Sequence, residues 1–121
     1  MHLDAFRDLC LRQPGASEGL PFGPDALVFK VGGKVGGRMF ALTNLERVPP
    51  AANLKCDPER AVELRERYAD VAPGYHMNKR HWNTVGLRGD VPDETIRQLV
   101  AHSYALVVAG LPARLRAEIG G

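Results

Sequence analysis

The chain has 121 residues and a mass of 13.2 kDa, the size of one ordinary domain. Hydrophobic residues make up 45% and charged residues 25% of the sequence, which excludes wholesale disorder. The 16 lysines and arginines outnumber the 14 acids by a formal charge of +2, which neither identifies nor excludes a nucleic-acid-binding protein. We expect a single domain over residues 1–121.

The cysteines and the apolar runs predict the cellular compartment. Cys10 and Cys56 lie outside any CxxC or Cys/His spacing, which favours two buried thiols over a disulfide. The charged N-terminal segment does not resemble a signal peptide, and no apolar run approaches the roughly 18 residues of a membrane span. We therefore expect a cytoplasmic protein without a membrane segment.

The first half of the chain reads as one helix followed by strands. Leu3, Phe6 and Cys10 recur at helical spacing, and Pro14-Gly15 predicts the end of that helix. Residues 17–25 form a turn region with at most one short strand. Branched and aromatic residues predict strands at 27–31, 39–42 and 52–56, with a glycine-rich hairpin of ambiguous register between the first two.

The second half predicts helix, strand and helix. Asp57-Pro58-Glu59 begins a helix that ends by residues 72–74, because Asp caps free amides and Pro fits the first turn. A strand follows at 82–87. A final helix opens within residues 89–94 and closes at 110–112, after which residues 113–121 add a helical turn or fray.

The order α-β-β-β-α-β-α predicts the fold class. Neighbouring strands with short links favour an antiparallel sheet, and the helices must bury their apolar sides on it. We expect an α+β fold, a two-layer sandwich with a mainly antiparallel sheet covered by helices.

Residues 73–84 depart from this ordinary pattern. They hold two of the four histidines, the only tryptophan, two cations and two asparagines, between a predicted helix and a predicted strand. Loops carried by a rigid scaffold commonly hold binding sites.

These residues and several other collinear motifs carry a family resemblance. The motifs are Pro14-Gly15 with Glu18, Pro21-Phe22-Gly23, Val28-Phe29-Lys30-Val31, Met39-Phe40-Ala41-Leu42, Leu54-Lys55-Cys56-Asp57-Pro58-Glu59, Pro73-Gly74-Tyr75-His76-Met77-Asn78-Lys79, His81-Trp82-Asn83-Thr84-Val85 and Ser103-Tyr104. Together, from about residue 3 to Leu111, they resemble the MmcQ/YjbR family of small bacterial proteins. The resemblance implies a compact fold related to the bacterial frataxin-like sandwich, and members of the family are often labelled DNA-binding.

DNA binding is the leading functional hypothesis, as weak, backbone-directed binding. Lys79 and Arg80 would contact phosphate, His76 and His81 would add donors, and Asn78 could contact a base edge or the backbone. Lys30, Lys34 and Arg38 of the hairpin would extend this site. Residues 26–56 carry five cations against one acid, but strong salt-dependent binding needs about six to ten phosphate contacts, and so both clusters must share one face.

Two alternatives stay open. The polar residues of 73–84 could instead satisfy the backbone of an irregular loop, with Trp82 in the core. A non-enzymatic protein-interaction or small-ligand module would use Tyr75, Met77 and Trp82 as an apolar pocket or patch.

Catalysis and metal binding are not expected. His76 and His81 with Asp70 or Asp90 could supply acid–base or metal groups, but the His-x4-His spacing is not the i,i+4 pair of a zinc helix. The sequence contains no HExxH motif, nucleophile elbow or phosphate-binding loop. We expect no cofactor.

Overall fold

A computed structural model describes residues 1–33 and 37–119 of the chain. The helices are α1 (Leu3–Leu11), α2 (Pro58–Arg67), α3 (Asp93–Ala109) and α4 (Ala113–Glu118). The strands are β1 (Ala16–Gly19), β2 (Ala26–Val31), β3 (Arg38–Asn44), β4 (Ala51–Lys55), β5 (Val71–Pro73) and β6 (Trp82–Gly86).

The six strands form one sheet in the order β1-β2-β3-β4-β6-β5, and every neighbouring pair is antiparallel. The α+β fold class predicted from the sequence is confirmed. The pairing is local except at β6, which returns after α2 to lie between β4 and β5.

The helices cover one face of the sheet, where the core lies. Phe6 of α1 packs edge-to-face on Phe29 of β2, with ring centroids 6.1 Å apart. Tyr104 of α3 packs in the same way on Phe40 of β3 at 5.5 Å. Such aromatic pairs add to the free energy gained by removing their apolar surface from water. The opposite face carries no helix among the described residues, and we call it the open face.

The helix boundaries follow the predicted signals. The side chain of Asp57 accepts a hydrogen bond from the Arg60 N–H at the start of α2, and Pro58 occupies the first turn. Gly110 caps the C-terminus of α3 as predicted.

The predicted element order lacked β1, β5 and α4. The edge strands β1 and β5 are only 4 and 3 residues long, too short for a period-two pattern to stand out. The helix expected to end by residues 72–74 ends at Arg67, and residues 71–73 pair with β6. The C-terminal segment forms α4, which buries Leu115 in the core.

A β-bulge in β3 changes which side chains face the open side. Phe29 pairs with Ala41 but Lys30 pairs with Met39, so Phe40 is an extra residue on β3. The ring of Phe40 therefore lies in the core, while Met39 faces the open side.

The buried hydroxyl of Ser103 joins the sheet beside this bulge. It accepts a hydrogen bond from the Lys55 N–H at 2.9 Å and donates one to the Phe40 carbonyl at 2.6 Å. The Ser103-Tyr104 motif thus satisfies backbone groups and packs the core.

Both cysteines are free and buried, as predicted. Burial raises the pKa of the Cys56 thiol, which keeps it protonated and unreactive. Within the described ranges no helix is long and apolar enough to span a bilayer.

Candidate functional site

A cavity of about 770 Å³ occupies the open face of the sheet, and we call it the open-face cavity. Its floor comes from the outward side chains of β2, β3, β4 and β6: Ala26, Met39, Leu42, Ala51, Asn53 and Thr84. Register explains this set, because Leu42 pairs with Asn53 and Asn53 with Thr84, and paired residues point to the same face. The small side chains Ala26 and Ala51 leave space above the sheet.

Two loops raise aromatic walls around this floor. Phe22 projects from the β1–β2 loop and is 71% exposed, and Tyr75 projects from the β5–β6 loop and is 66% exposed. The imidazole of His76 lies against the Tyr75 ring with centroids 4.0 Å apart. His76 has a φ of 58°, a left-handed conformation that non-glycine residues rarely adopt. Strained backbone of this kind commonly occurs at ligand sites.

A polar clamp on the cavity floor holds this strained segment. The Thr84 hydroxyl donates to Asn53 Oδ1 at 2.6 Å and accepts from the Tyr75 N–H at 2.9 Å. Asn53 Nδ2 donates to the Tyr75 carbonyl at 3.1 Å. Both backbone groups of Tyr75 are therefore fixed to the sheet, and the wall carrying Tyr75, His76 and Met77 is preorganised.

The next residues build the loop. Asn78 Oδ1 accepts from the N–H groups of Arg80 and His81 at 3.0 and 3.3 Å, which closes a turn. The Lys79 ammonium donates to the Gly74 carbonyl at 3.2 Å. These interactions match the alternative reading in which the segment's polar residues satisfy an irregular loop.

Arg65 of α2 ties the same loop to the helix layer. Its guanidinium donates to Asn83 Oδ1 at 2.7 Å, to the Lys79 carbonyl and to the Trp82 carbonyl at 3.3 Å. Asn83, 1% exposed, also donates to the Ala61 carbonyl at 3.3 Å. Sequence reasoning missed Arg65, because helical spacing does not show which loop a side chain reaches.

The structure separates the predicted nucleic-acid-binding residues. Arg80 lies beside α2 in a shallow depression that Glu59 and Glu63 also line, and His81 is half-buried with its carbonyl bonded to the Cys56 N–H. Trp82, predicted for the core or for stacking, is half-buried.

The hairpin cations point to opposite sides of the sheet. Lys30 lies on the open face, as Ala26 does, because residues four positions apart along a strand point to the same side of the sheet. Arg38 lies on the helix side, where its Nη1 donates to the Gly110 carbonyl at 2.8 Å. Lys34 lies outside the described residues. Lys30 and Arg38 therefore do not share one face. Of the predicted residues, His76 lines the cavity and Lys30 borders it.

A second, smaller depression of about 240 Å³ adjoins the open-face cavity. The two have Arg47, Ala51, Ala72 and Thr84 in common, and Arg88 lines the smaller one. We call it the arginine depression. Phe22, Met39 and Arg88 were absent from the predicted site, and Arg47 counted there only as one of the five cations of residues 26–56. For Phe22 the sequence signal was its place in the Pro21-Phe22-Gly23 turn, since turns lie at the protein surface.

Asp70 lines the arginine depression and is hydrogen-bonded to the segment that carries Asp90. Asp90 accepts from the N–H groups of Ala69 and Asp70 at 2.8 and 3.0 Å, and these bonds lower the pKa of its carboxyl. Asp70 Oδ2 accepts from the Asp90 N–H at 2.9 Å. No group of three His, Cys, Asp or Glu side chains within residues 1–33 and 37–119 is placed to hold a metal ion.

Comparison with known proteins agrees with the family resemblance that the sequence motifs indicated. The YjbR family model matches residues 11–106. The chain belongs to the YjbR family. An uncharacterised Escherichia coli O157:H7 protein, YbdF, is 40% identical over 106 residues, 88% of this chain and 84% of that protein. The uncharacterised YjbR of E. coli K12 is 36% identical over 116 residues, 96% of this chain and 95% of that protein.

Solved structures share the fold. The crystal structure of Deinococcus radiodurans protein DR2400, described by the domain name DUF419, superposes with a TM-score of 0.91 at 44% identity, covering 98% of this chain and 87% of that one. A crystal structure of a Pseudomonas syringae protein gives 0.75 at 28% identity, covering 88% and 99% of the two chains.

Proposed function

We propose that this YjbR-family protein is a non-enzymatic binding protein that takes up a small, largely apolar ligand in the open-face cavity. The observation that carries the proposal is the cavity itself, about 770 Å³ between a sheet floor and exposed aromatic walls. This volume lies within the roughly 300–1,000 Å³ typical of small-molecule pockets. The proposal therefore favours the small-ligand alternative over the hypothesis that the loop around His76 binds DNA.

The composition of the cavity supports a ligand with an apolar or aromatic body. Met39, Leu42 and Met77 present flexible apolar surface to the interior, and thioethers adapt well to ligands of irregular shape. Phe22 and Tyr75 remain mostly exposed, and covering two such rings with a ligand would release water from a large apolar area.

The chemistry around the cavity supports binding rather than catalysis. The Thr84 hydroxyl, the buried hydroxyl of the floor, is engaged with Asn53 and Tyr75 and is not positioned beside a base. His76 contacts the Tyr75 ring, and the lining carries no carboxylate to pair with it among the described residues.

The test uses an uncharged fluorescent probe, N-phenyl-1-naphthylamine, whose emission rises in apolar surroundings. We expect saturable binding at one site. Ala72→Trp, which fills the cavity from the exposed edge strand β5, should weaken binding at least about tenfold, or roughly 1.4 kcal/mol. Ala101→Trp, the same change on an exposed site of α3, is the matched control. Unsaturable binding, or equal affinity in both variants, would contradict the proposal.

Single-stranded nucleic acid is a second candidate ligand. The observation in its favour is that Lys30 and Arg47 border the same face as the exposed rings of Phe22 and Tyr75. Bases stack on exposed aromatic rings while cations bind the phosphates, and this mode tolerates any sequence. Stacking contributes about 1–3 kcal/mol per base, so this mode relies less on phosphate contacts than duplex binding does.

Fluorescence anisotropy with short single-stranded and duplex DNA over a salt series tests this candidate. We expect single strands to bind more tightly than the duplex, with affinity falling as salt rises. Lys30→Gln with Tyr75→Ala should weaken binding, whereas Lys79→Ala with Arg80→Ala should leave it nearly unchanged. Absence of binding at low salt would exclude single-stranded nucleic acid as a ligand. Loss of binding in the Lys79/Arg80 variant would instead assign DNA binding to the loop that carries these two residues.

A further inference from the structure

We propose that the ligand of the open-face cavity is a small organic anion, with its apolar body between the aromatic walls and its carboxylate or sulfonate beside Arg47 and Arg88. This inference rests on the proposed function and names the ligand class. It is carried by the arginine depression, which continues from the cavity past Arg47.

The two guanidinium groups are available to a ligand. Both residues are exposed, and neither side chain has a hydrogen-bond or ion-pair partner among residues 1–33 and 37–119. An arginine without a carboxylate partner is suited to a ligand carboxylate, because its planar guanidinium can donate two parallel hydrogen bonds.

The lining of the arginine depression keeps a net positive charge, because it holds two arginines and one acid among the described residues. Asp70 is the acid that lines the arginine depression, against the two arginines, and its Oδ2 accepts from the Asp90 N–H. Asp90 accepts from two backbone N–H groups and does not line the depression. Glu46 precedes Arg47 but lines neither depression.

The surroundings strengthen the attraction and set the ligand's shape. Pro49, Pro50 and Ala51 border the arginines with apolar surface, and a bound ligand would exclude water there, which lowers the local dielectric. The cavity is apolar near Leu42 and cationic near Arg47 and Arg88. A molecule with one apolar end and one anionic end matches both parts.

The experiment compares two probes that share one skeleton. 1-Anilinonaphthalene-8-sulfonate is N-phenyl-1-naphthylamine with an added sulfonate, so the ratio of their affinities isolates the charge. We expect the sulfonate to bind at least about tenfold more tightly, and this preference to shrink as salt rises. Arg47→Gln with Arg88→Gln should bring the ratio of the two affinities to about one.

The control removes the same net charge elsewhere. Arg114→Gln with Arg116→Gln on the exposed side of α4 should keep the preference, and far-ultraviolet circular dichroism verifies that both double variants are folded. Equal affinity of the two probes for the original protein would overturn the anion assignment and leave the proposed function standing. Failure of the uncharged probe to bind would instead overturn the proposed function. Displacement of the sulfonate by short single-stranded DNA, but not by aromatic carboxylates, would overturn the assignment to small organic anions.

Discussion

Replacing Thr84 by valine tests whether the polar clamp holds the aromatic wall of the cavity. Valine keeps the shape of threonine, so the change removes little beyond the hydroxyl. Two groups then lose their partner: Asn53 Oδ1, previously 2.6 Å from the hydroxyl, and the Tyr75 N–H, at 2.9 Å. A buried polar group left unsatisfied costs about 1–3 kcal/mol.

The expected loss of stability lies near the lower end of the cost obtained by adding the two unsatisfied groups, Asn53 Oδ1 and the Tyr75 N–H. The Thr84–Asn53 contact is buried, but the Tyr75 N–H is only partly buried and regains some hydration. We expect Thr84→Val to lower the free energy of unfolding by about 2–3 kcal/mol, a large share of the 5–15 kcal/mol typical of a domain. The uncharged probe should also bind more weakly, since Tyr75 and His76 are no longer held against the sheet.

Urea unfolding followed by circular dichroism measures this change. With a slope of about 2 kcal/mol per molar urea, the midpoint should fall by about 1–1.5 M. Thr84→Ser keeps the oxygen and loses one methyl group, and it should cost about 1 kcal/mol. Equal midpoints for Thr84→Val and the original protein would refute the reasoning. So would a serine variant as unstable as the valine variant.

Two further predictions concern stability away from the cavity. Gly89→Ala should destabilise the protein by about 1–3 kcal/mol, because a Cβ there would lie 1.4 Å from Asp70 Oδ2 and displace that carboxylate from its hydrogen bond with the Asp90 N–H. Gly19→Ala is the control: a Cβ there would meet no atom within 4 Å, and the variant should be nearly neutral in the same urea assay. Burial lowers the pKa of His102 below its usual 6.5, and its Nε2 accepts a hydrogen bond from the Asp57 N–H. Protonation of His102 therefore favours the unfolded chain. The free energy of unfolding should fall as the pH drops below 6.5 towards the folded-state pKa. Urea midpoints at pH 7.5 and 5.5 should differ more for the original protein than for His102→Gln, and an equal difference would contradict this assignment.

The family, the fold class and most helix boundaries were predictable because they depend on local signals. Asp57 and Pro58 start a helix by capping amides in their own turn, and the prediction succeeds without any distant contact. The edge strands β1 and β5 were not predictable in this way, since their pairing partners, rather than their own composition, make them strands.

The candidate site depended on contacts between residues distant in sequence. The segment around His76 stood out in the sequence, but Asn78 and Lys79 turned out to build the loop, while Tyr75, His76 and Met77 form a wall. Periodicity carries no information about a long-range pairing such as that between Asn53 and Tyr75, which are 22 positions apart.

The sequence alone does not determine on which face of the sheet each cation of the β2–β3 hairpin lies. The sequence alone establishes the cations at 30 and 38 and the glycine-rich hairpin between them. It does not establish the register, and the extra residue at Phe40 turns Met39 to the open face and Arg38 to the helix layer. Because side chains alternate along a strand, a slip of one residue exchanges the two faces. The tertiary pairing of β2 with β3 therefore decides which charges meet a ligand.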